Sequence, residues 1–286
     1  MAMVVELSPR QLAIRRFRRN RISVAALILL ALVGLAAVFA PLLATHSVAE
    51  QDLVLGSAPP SSEHLFGTDF EGRDLYTRTL FGARLSLLVG LVATVIALII
   101  GVTYGAIAGY FGGRVDQIMM RIVDVLYGLP YMFFVIILMV WSGRGLMNLF
   151  IGLGAVSWLT MARIVRGSVL SIRDRDFVQS ARATGVSSAR IIWRHVLPNI
   201  AGPVIIYGTL TVPRVMIEEA FLSFLGLGVQ PPDASWGSLL AEGSSLFREA
   251  SWLLLFPAMA FCVTLLALNL LGDGLRDALD PKGGQS

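Results

Sequence analysis

Few residues of this 286-residue chain have the types and spacing that enzyme chemistry requires. Lys282 is the only lysine and it follows Pro281, so the sequence has no Gly-x-x-x-x-Gly-Lys-Ser/Thr loop to cradle the phosphates of a nucleotide. The histidines are His46, His64 and His195, and neither a Gly-x-Ser-x-Gly nucleophile motif nor a His-Glu-x-x-His zinc motif is present. We therefore expect no catalytic residue in this chain and no ATP hydrolysis by the chain alone.

The densest group of carboxylates is formed by Asp69, Glu71 and Asp74. Their spacing differs from that of a calcium-binding loop, in which oxygen ligands recur at alternate positions and end on a glutamate. We interpret them as turn and helix-capping residues, and we expect no metal site.

A second charged group, Arg214, Glu218 and Glu219, lies at the end of an apolar stretch. Arg214 and Glu218 are one helical turn apart and can form an ion pair. Alternatively, Glu218 or Glu219 lines the outer mouth of a pathway, because charges at membrane depth usually face a cavity or each other. Phe224 precedes a glycine- and proline-rich break, and the segment as a whole is a candidate gate.

The composition indicates that the charged residues described above are carried by helices that cross a membrane. The chain is 56% hydrophobic and 15% charged, with a mean hydropathy of +0.74, which is too apolar for a soluble domain. Six uncharged runs approach or exceed the roughly 18 residues that cross a bilayer, without the alternation of a barrel strand. They are residues 22–44, 85–113, 125–143, 145–162, 196–213 and 251–272.

The first run is predicted to be an uncleaved anchor, because it is too long for a signal peptide and no clean cleavage site follows Leu43. The single cysteine, Cys262, lies in the last run and is expected to be a buried thiol.

Arginines are concentrated in alternate connections and so predict the orientation. They are Arg10, Arg15, Arg16, Arg18, Arg19 and Arg21 before the first run, Arg114 and Arg121 after the second, and Arg166, Arg173, Arg175, Arg182, Arg190 and Arg194 after the fourth. Both termini are therefore expected in the cytoplasm, and the basic pI of about 9.6 reflects topology rather than nucleic-acid binding.

The 44–84 loop lies on the other side of the membrane in this prediction and carries three arginines and six acids. We expect its second part, residues 61–84, to form an ordered cap over the outer mouth.

The largest predicted cytoplasmic connection reads as two short helices that meet at Gly185. Asp174 or Asp176 is predicted to cap the first helix and Ser187 the second. Phe177, Val178 and Ala181 would form an apolar tip inside a collar of arginines. From the residues alone, an interfacial helix pair lying on anionic lipid explains this pattern as well as a protein-docking element does.

The spacing of this connection resembles the EAA motif of permease subunits of binding-protein-dependent ABC importers. Gln179-Ser180-Ala181 stands for Glu-Ala-Ala, Gly185 follows after three residues, and Leu197-Pro198 completes the pattern. Gln179, Ser180 and His195 depart from the consensus residues at their positions. Gln179 in particular replaces the family glutamate, although a neutral amide can still form hydrogen bonds.

Further stretches extend the resemblance over nearly the whole chain. Seven short stretches resemble the C-type permease of dipeptide, oligopeptide and nickel importers. They are HLFGTD from His64, GRD from Gly72, GAR from Gly82, EA from Glu219, LSFLGLG from Leu222, QPP from Gln230 and SWG from Ser235.

This resemblance implies an all-α type I importer permease with six transmembrane helices and a cytoplasmic coupling-helix pair. Its parts would be an N-terminal arm (1–21), a first helix (22–44), an extracytoplasmic loop (45–84), a five-helix core (85–272) containing the coupling loop (171–196), and a cytoplasmic tail (273–286). The protein would lie in a prokaryotic inner membrane. The alternative to a permease subunit is a self-sufficient secondary transporter or channel whose cytoplasmic loop binds lipid.

The resemblance also implies partners and site residues. The partners would be a homologous B-type permease, two cytoplasmic ATPase subunits that hold ATP and Mg, and an extracytoplasmic binding protein. The coupling residues would be Gln179, Ser180, Ala181, Gly185, Arg190, Leu197 and Pro198. Asp69, Arg73 and Asp74 would contact the binding protein, while dipeptides, longer peptides, nickel chelates and glutathione all remain candidate substrates.

Overall fold

The computed structural model describes residues 9–143 and 145–279, and within these residues every regular element is a helix. The helices are α1 (Pro9–Arg19), α2 (Arg21–Val38), α3 (Ala40–Leu43), α4 (Leu75–Phe111), α5 (Gly113–Gly128), α6 (Tyr131–Ser142), α7 (Leu146–Ile172), α8 (Asp176–Ala183), α9 (Ser188–Ile191), α10 (Leu197–Asn199), α11 (Ala201–Phe224), α12 (Trp236–Ser245) and α13 (Trp252–Leu279). The all-α prediction is confirmed. Arg144 and Lys282 lie outside the described residues.

Four of these helices, α2, α4, α7 and α13, are long and apolar enough to cross a membrane. Two bent pairs supply further candidates: α5 with α6, bent by 80°, and the helical segment 188–199 with α11, bent by 70°. If each bent pair counts as one span, length and composition allow up to six crossings. This number agrees with the six apolar runs of the sequence.

The predicted third span, residues 125–143, is not one helix. Its apolar run begins on α5 and ends on α6, with a break at Leu129 and Pro130. The proline ring disfavours a helical conformation at the preceding residue, and Leu129 is extended with a ψ of 138°.

Several helices continue through charges at which the predicted runs end. Helix α7 extends beyond residue 162 to Ile172 and includes two arginines that form ion pairs. Arg163 donates to Asp124 at 2.8 Å, and Arg166 donates twice to Asp116. The charge at which the predicted run stops therefore does not end the helix.

Three other helix limits also differ from the predictions. Helix α4 begins at Leu75 rather than at residue 85, so the preceding loop ends at Asp74. Helix α11 continues through Pro213 to Phe224. Helix α13 runs to Leu279, and the start of the predicted tail at residue 273 is therefore helical. Cys262, on this helix, is exposed rather than buried.

Helices α4 and α7 run in the same direction and pack closely along a row of glycines. A Cβ at Gly101 would lie 2.6 Å from Met161 Cβ, and one at Gly105 would lie 2.4 Å from the carbonyl oxygen of Ala162. Gly109 continues the row one turn later, against Val169. Such small-residue spacing lets two membrane helices approach at backbone distance.

Helix α12 lies between the fifth and sixth apolar runs of the sequence, where no helix was predicted. It begins with a capping box in which Ser235 and Ser238 bond each other's backbone. Trp236, 2% exposed, donates its ring N–H to the carbonyl of Thr79 at 3.0 Å. This indole attaches α12 to the first turns of α4.

The bundle therefore has two different ends. We call the end that holds α1, the 171–196 loop and the last turns of α13 the arginine-rich end. The opposite end holds the 44–74 loop and α12. The candidate functional residues of the sequence divide between them.

Candidate functional sites at the two ends of the bundle

The 171–196 loop at the arginine-rich end begins with α8, which is not capped as predicted. Its N-cap is Arg175, and neither Asp174 nor Asp176 caps the helix with its side chain. The Asp174 carboxylate instead accepts a hydrogen bond from Arg173. The backbone carbonyl of Asp174 accepts a 3.0 Å bond from the side-chain amide of Gln179. Ser187 does occupy the N-cap position of α9, but without a side-chain bond.

Gly185 lies at the predicted junction of the two helices and ends α8 in a left-handed conformation, with a φ of +75°. The N–H of Val186 donates to the carbonyl of Ala181 at 3.1 Å, and that of Gly185 donates to Arg182 at 3.0 Å. These two bonds form a Schellman motif, which glycine accepts without a steric penalty. A Cβ on Gly185 would meet no atom of this chain within 4 Å, so the space beside it is open.

The apolar side of α8 faces the bundle, which corrects the predicted apolar tip. Val178 is fully buried and Ala181 is 8% exposed, whereas Phe177 is 40% exposed. Val178 and Ala181 pack in a core cluster with α4, α7 and α9. The outward surface is formed by Gln179, Ser180, Gly185, Arg190 and Pro198.

Two arginines of the predicted collar fix the loop to α4. Arg182 donates to the Tyr110 hydroxyl at 3.1 Å and lies 4.6 Å over its ring. Arg173 donates to the carbonyl of Gly109 at 3.2 Å. These contacts cannot be read from local spacing, because Arg182 and Tyr110 are 72 positions apart and Arg173 and Gly109 are 64 positions apart.

The second half of the loop is continuous with a membrane helix. One π-helical turn, Ile192–Val196, leads into Leu197-Pro198, and the chain bends by 70° at Ile200 before α11. Pro198 has no N–H to donate to Arg194, so a local departure from the α-helical pattern is expected here. The loop is therefore continuous with α11 through Leu197-Pro198.

The candidate gate residues on α11 fall into two environments. Arg214 donates to Glu218 at 2.9 Å, which confirms the predicted pair. The Arg214 side chain is 47% exposed, that of Glu218 only 7%, and Phe224 is 53% exposed.

Glu219 is fully buried, and its burial argues against a role in lining the outer mouth. Its Oε1 accepts bonds from Ser223 at 2.9 Å and Ser235 at 2.6 Å. A Cβ at Gly237 would lie 2.7 Å from Oε2, so glycine is required for α12 to pack on this carboxylate. Glu219 thus holds the start of α12 against α11.

The 44–74 loop is ordered by a buried charge network, and Asp69 is at its centre. Asp69 accepts from the backbone of Glu71 and Arg73, from Arg73 Nε at 2.7 Å, and from Arg78. Arg78, 1% exposed, also donates to Glu242 on α12 at 2.8 and 3.1 Å. The interpretation of Asp69 as a turn residue is confirmed, whereas Glu242 was missed.

Asp74 caps α4 as predicted, accepting from the Thr77 N–H at 2.8 Å through Oδ2. Its other oxygen faces His64 at 3.0 Å and His46 at 3.8 Å, a grouping that the sequence did not reveal. Asp69, Arg73 and Asp74 are each no more than 3% exposed. Their side chains therefore shape the loop from within, and its outer surface is formed by other residues.

Comparison with known proteins places this geometry among membrane transport proteins. A family model described as "Binding-protein-dependent transport system inner membrane component" matches residues 101–283. A second model, described as "N-terminal TM domain of oligopeptide transport permease C", matches residues 8–60.

Individual relatives cover almost the whole chain. It is 49% identical over 277 residues to the dipeptide transport system permease protein DppC of Bacillus subtilis, covering 96% of this chain and 87% of the relative. It is also 47% identical over 270 residues to each of two oligopeptide transport system permease proteins OppC, from Haemophilus influenzae and from Escherichia coli K12. Each match covers 94% of this chain; it covers 87% of the H. influenzae protein and 89% of the E. coli protein.

A solved structure shares the fold at low sequence identity. A chain of the MetNI methionine ABC transporter, in an inward-facing conformation, superposes with a TM-score of 0.60 and 16% identity. The match covers 72% of this chain and 96% of that one.

Proposed function

The chain belongs to the family of inner membrane components of binding-protein-dependent transport systems, and from this we propose that it is the permease subunit of an ATP-driven peptide importer. Members of this family are the transmembrane component, and ATP is hydrolysed on a separate subunit. The observation that carries the proposal is the near full-length similarity to peptide permeases, together with an exposed helix pair continuous with α11.

We propose that the 171–196 loop docks on an ATPase subunit. Gln179, Ser180, Gly185 and Arg190 lie on its outward surface, and the open space beside Gly185 allows a partner to approach the backbone. Ala181 acts from the buried side by seating α8 on the bundle. A push on the docked surface is transmitted to α11 through Leu197-Pro198 and to α4 through Arg182 and Tyr110.

The proposed complex contains a second, homologous permease, two ATPase subunits with ATP and Mg, and a binding protein that delivers the peptide. Both termini lie in the cytoplasm, and the helices are surrounded by lipid of the inner membrane. At the opposite end, Arg214 and Phe224 are the exposed residues proposed to line the pathway. Glu218 is proposed to orient Arg214 through their ion pair, and Glu219 to hold α12 against α11.

The binding protein is proposed to contact the outer surface of the 44–74 loop. Val54, Leu65 and Phe70 are 99%, 50% and 50% exposed. Leu53 and Leu55, on either side of Val54, are 74% and 41% exposed, so the exposed apolar surface is continuous along this part of the chain, and such a surface can serve for contact with a partner. Asp69, Arg73 and Asp74 position this surface without reaching the partner themselves.

Reconstitution of the purified subunits in proteoliposomes tests the function. We expect uptake of labelled dipeptides or oligopeptides only when this chain, its partner subunits, loaded binding protein and ATP are all present. The chain alone should hydrolyse no ATP. Uptake by this chain alone, driven by an ion gradient without ATP, would instead establish the alternative of a secondary transporter.

A further inference from the structure

We propose that His46, His64 and Asp74 form a binding site for a divalent transition-metal ion, Zn²⁺ in the first instance, on the 44–74 loop. One nitrogen or oxygen from each residue lies within 4.8 Å of the others. Two imidazoles and one carboxylate are a ligand set that zinc accepts, with water completing the coordination.

The distances between the ligand atoms are close to those that a metal requires. Asp74 Oδ1 lies 3.0 Å from His64 Nδ1 and 3.8 Å from His46 Nδ1. Ligand atoms about 2.0–2.1 Å from a tetrahedral zinc are roughly 3.3 Å apart, so both distances from the carboxylate oxygen to the imidazole nitrogens lie within about half an ångström of that value. The imidazole rings are stacked, with centroids 4.6 Å apart and an interplanar angle of 28°.

The three ligands are held by elements that are already ordered. Asp74 is fixed at the start of α4 because its Oδ2 caps the helix, which leaves Oδ1 directed at the histidines. The His64 backbone exchanges bonds with Ser61, and the His46 N–H donates to Thr77 Oγ1 at 3.4 Å. Supporting bonds of this kind orient metal ligands.

Charge and access also favour a cation. The arginines nearby are occupied, because within the described residues Arg73 and Arg78 pair with Asp69, Glu71 and Glu242 and not with Asp74. The side chains of His46 and His64 are 24% and 13% exposed, so an ion and its water ligands can enter from solvent.

The test is zinc titration of the purified full-length chain in detergent, carried on a tag that contains no histidine. We expect one Zn²⁺ per chain, with affinity reduced more than about tenfold in His46→Ala, His64→Ala and Asp74→Asn. Asparagine retains the helix cap at position 74, so this variant separates loss of a ligand from loss of folding. His195→Ala, which alters the third histidine at the arginine-rich end, is the matched control and should bind zinc as the wild type does.

Cobalt provides a second readout, because its visible absorption reports coordination by nitrogen and oxygen directly. We expect Co²⁺ bands in the wild type that vanish in the His46→Ala/His64→Ala double variant and that Zn²⁺ displaces. A wild-type chain without a saturable one-to-one site, or a double variant that binds equally well, would show that the histidines serve only as hydrogen-bond partners of Asp74. Neither result depends on what the importer transports.

Discussion

At residue 185 the backbone conformation favours glycine, whereas the space around the residue would allow a larger side chain. The φ of +75° favours glycine, while the space around a Cβ is open within this chain. A side chain there would therefore strain the turn without disturbing the bundle, and it would occupy the space proposed for the ATPase.

We predict that Gly185→Val abolishes substrate-stimulated ATP hydrolysis and uptake but leaves insertion and assembly near normal. A positive φ costs a β-branched residue about 1–2 kcal/mol, which displaces the loop without unfolding the core. The measurement is ATP hydrolysis by the reconstituted complex with and without loaded binding protein, after its subunit stoichiometry has been confirmed.

Gly185→Asn is the matched variant, because asparagine accepts a left-handed conformation but adds volume. We expect it to lower the stimulation as well, since the proposed contact needs the space beside the backbone. Stimulation at the wild-type level in a stable Gly185→Val complex would instead favour a loop that lies on lipid, because that change alters neither apolar area nor arginine count appreciably.

Arg78 is the second residue whose substitution has a specific expected effect, because its side chain joins the 44–74 loop to α12. We predict that Arg78→Met destabilises the chain by about 3 kcal/mol, since Asp69 is 2% exposed and loses one of its two arginine partners. Thermal unfolding and protease sensitivity of the loop in detergent would measure the change.

Arg84→Met is the control for this prediction, because Arg84 is exposed on the same helix. It should leave both readouts unchanged. Equal effects of the two substitutions would mean that the buried network does not hold the loop.

At the scale of elements, the contact between α4 and α7 depends on glycine rather than on large apolar side chains. These helices run in the same direction because the α5–α6 pair returns the chain between them. Their backbones approach so closely that a single methyl group at Gly105 would lie 2.4 Å from a carbonyl oxygen.

We predict that Gly105→Ala destabilises the chain by about 1–3 kcal/mol, because the new methyl group has to separate two packed helices. Gly167→Ala should be neutral or stabilising, since a Cβ at this helical position on α7 meets nothing within 4 Å and alanine is the better helix former. Thermal unfolding of both variants in detergent measures this difference. Similar melting temperatures would contradict the close contact.

At the scale of the whole molecule, the ends of the bundle should face different compartments. Charge counts predict the arginine-rich end in the cytoplasm. The structure adds residues whose exposure allows this orientation to be measured, among them Arg15 on α1 and Val54 in the 44–74 loop.

We predict that Val54→Cys is labelled by a membrane-impermeant maleimide in intact cells, whereas Arg15→Cys is labelled only after permeabilisation. Both changes are made in a Cys262→Ser chain, because the native cysteine is exposed. Labelling of Arg15→Cys from outside would reverse the proposed orientation.

The sequence by itself determined those features that depend on neighbours along the chain. Apolar runs identified the membrane helices, since crossing a bilayer is a matter of length and composition. The Gly185 turn, the Asp74 cap and the Arg214–Glu218 pair were likewise predictable, because each joins residues within about one turn of one another. Helix limits were less accurate, because a scan for uncharged runs stops at every charge, whereas α4 and α7 both include the arginine at which the predicted run stops.

Only the tertiary structure decided which distant residues meet. Arg78 and Glu242 lie 164 positions apart, and Ser235 reaches Glu219 across a loop. His46, His64 and Asp74 come together because the 44–74 loop folds back on the first turn of α4, which no local periodicity reveals. The physical reason is that burial selects partners by their position in the folded chain: a buried charge needs its counter-charge within a few ångströms, wherever in the sequence that group is found.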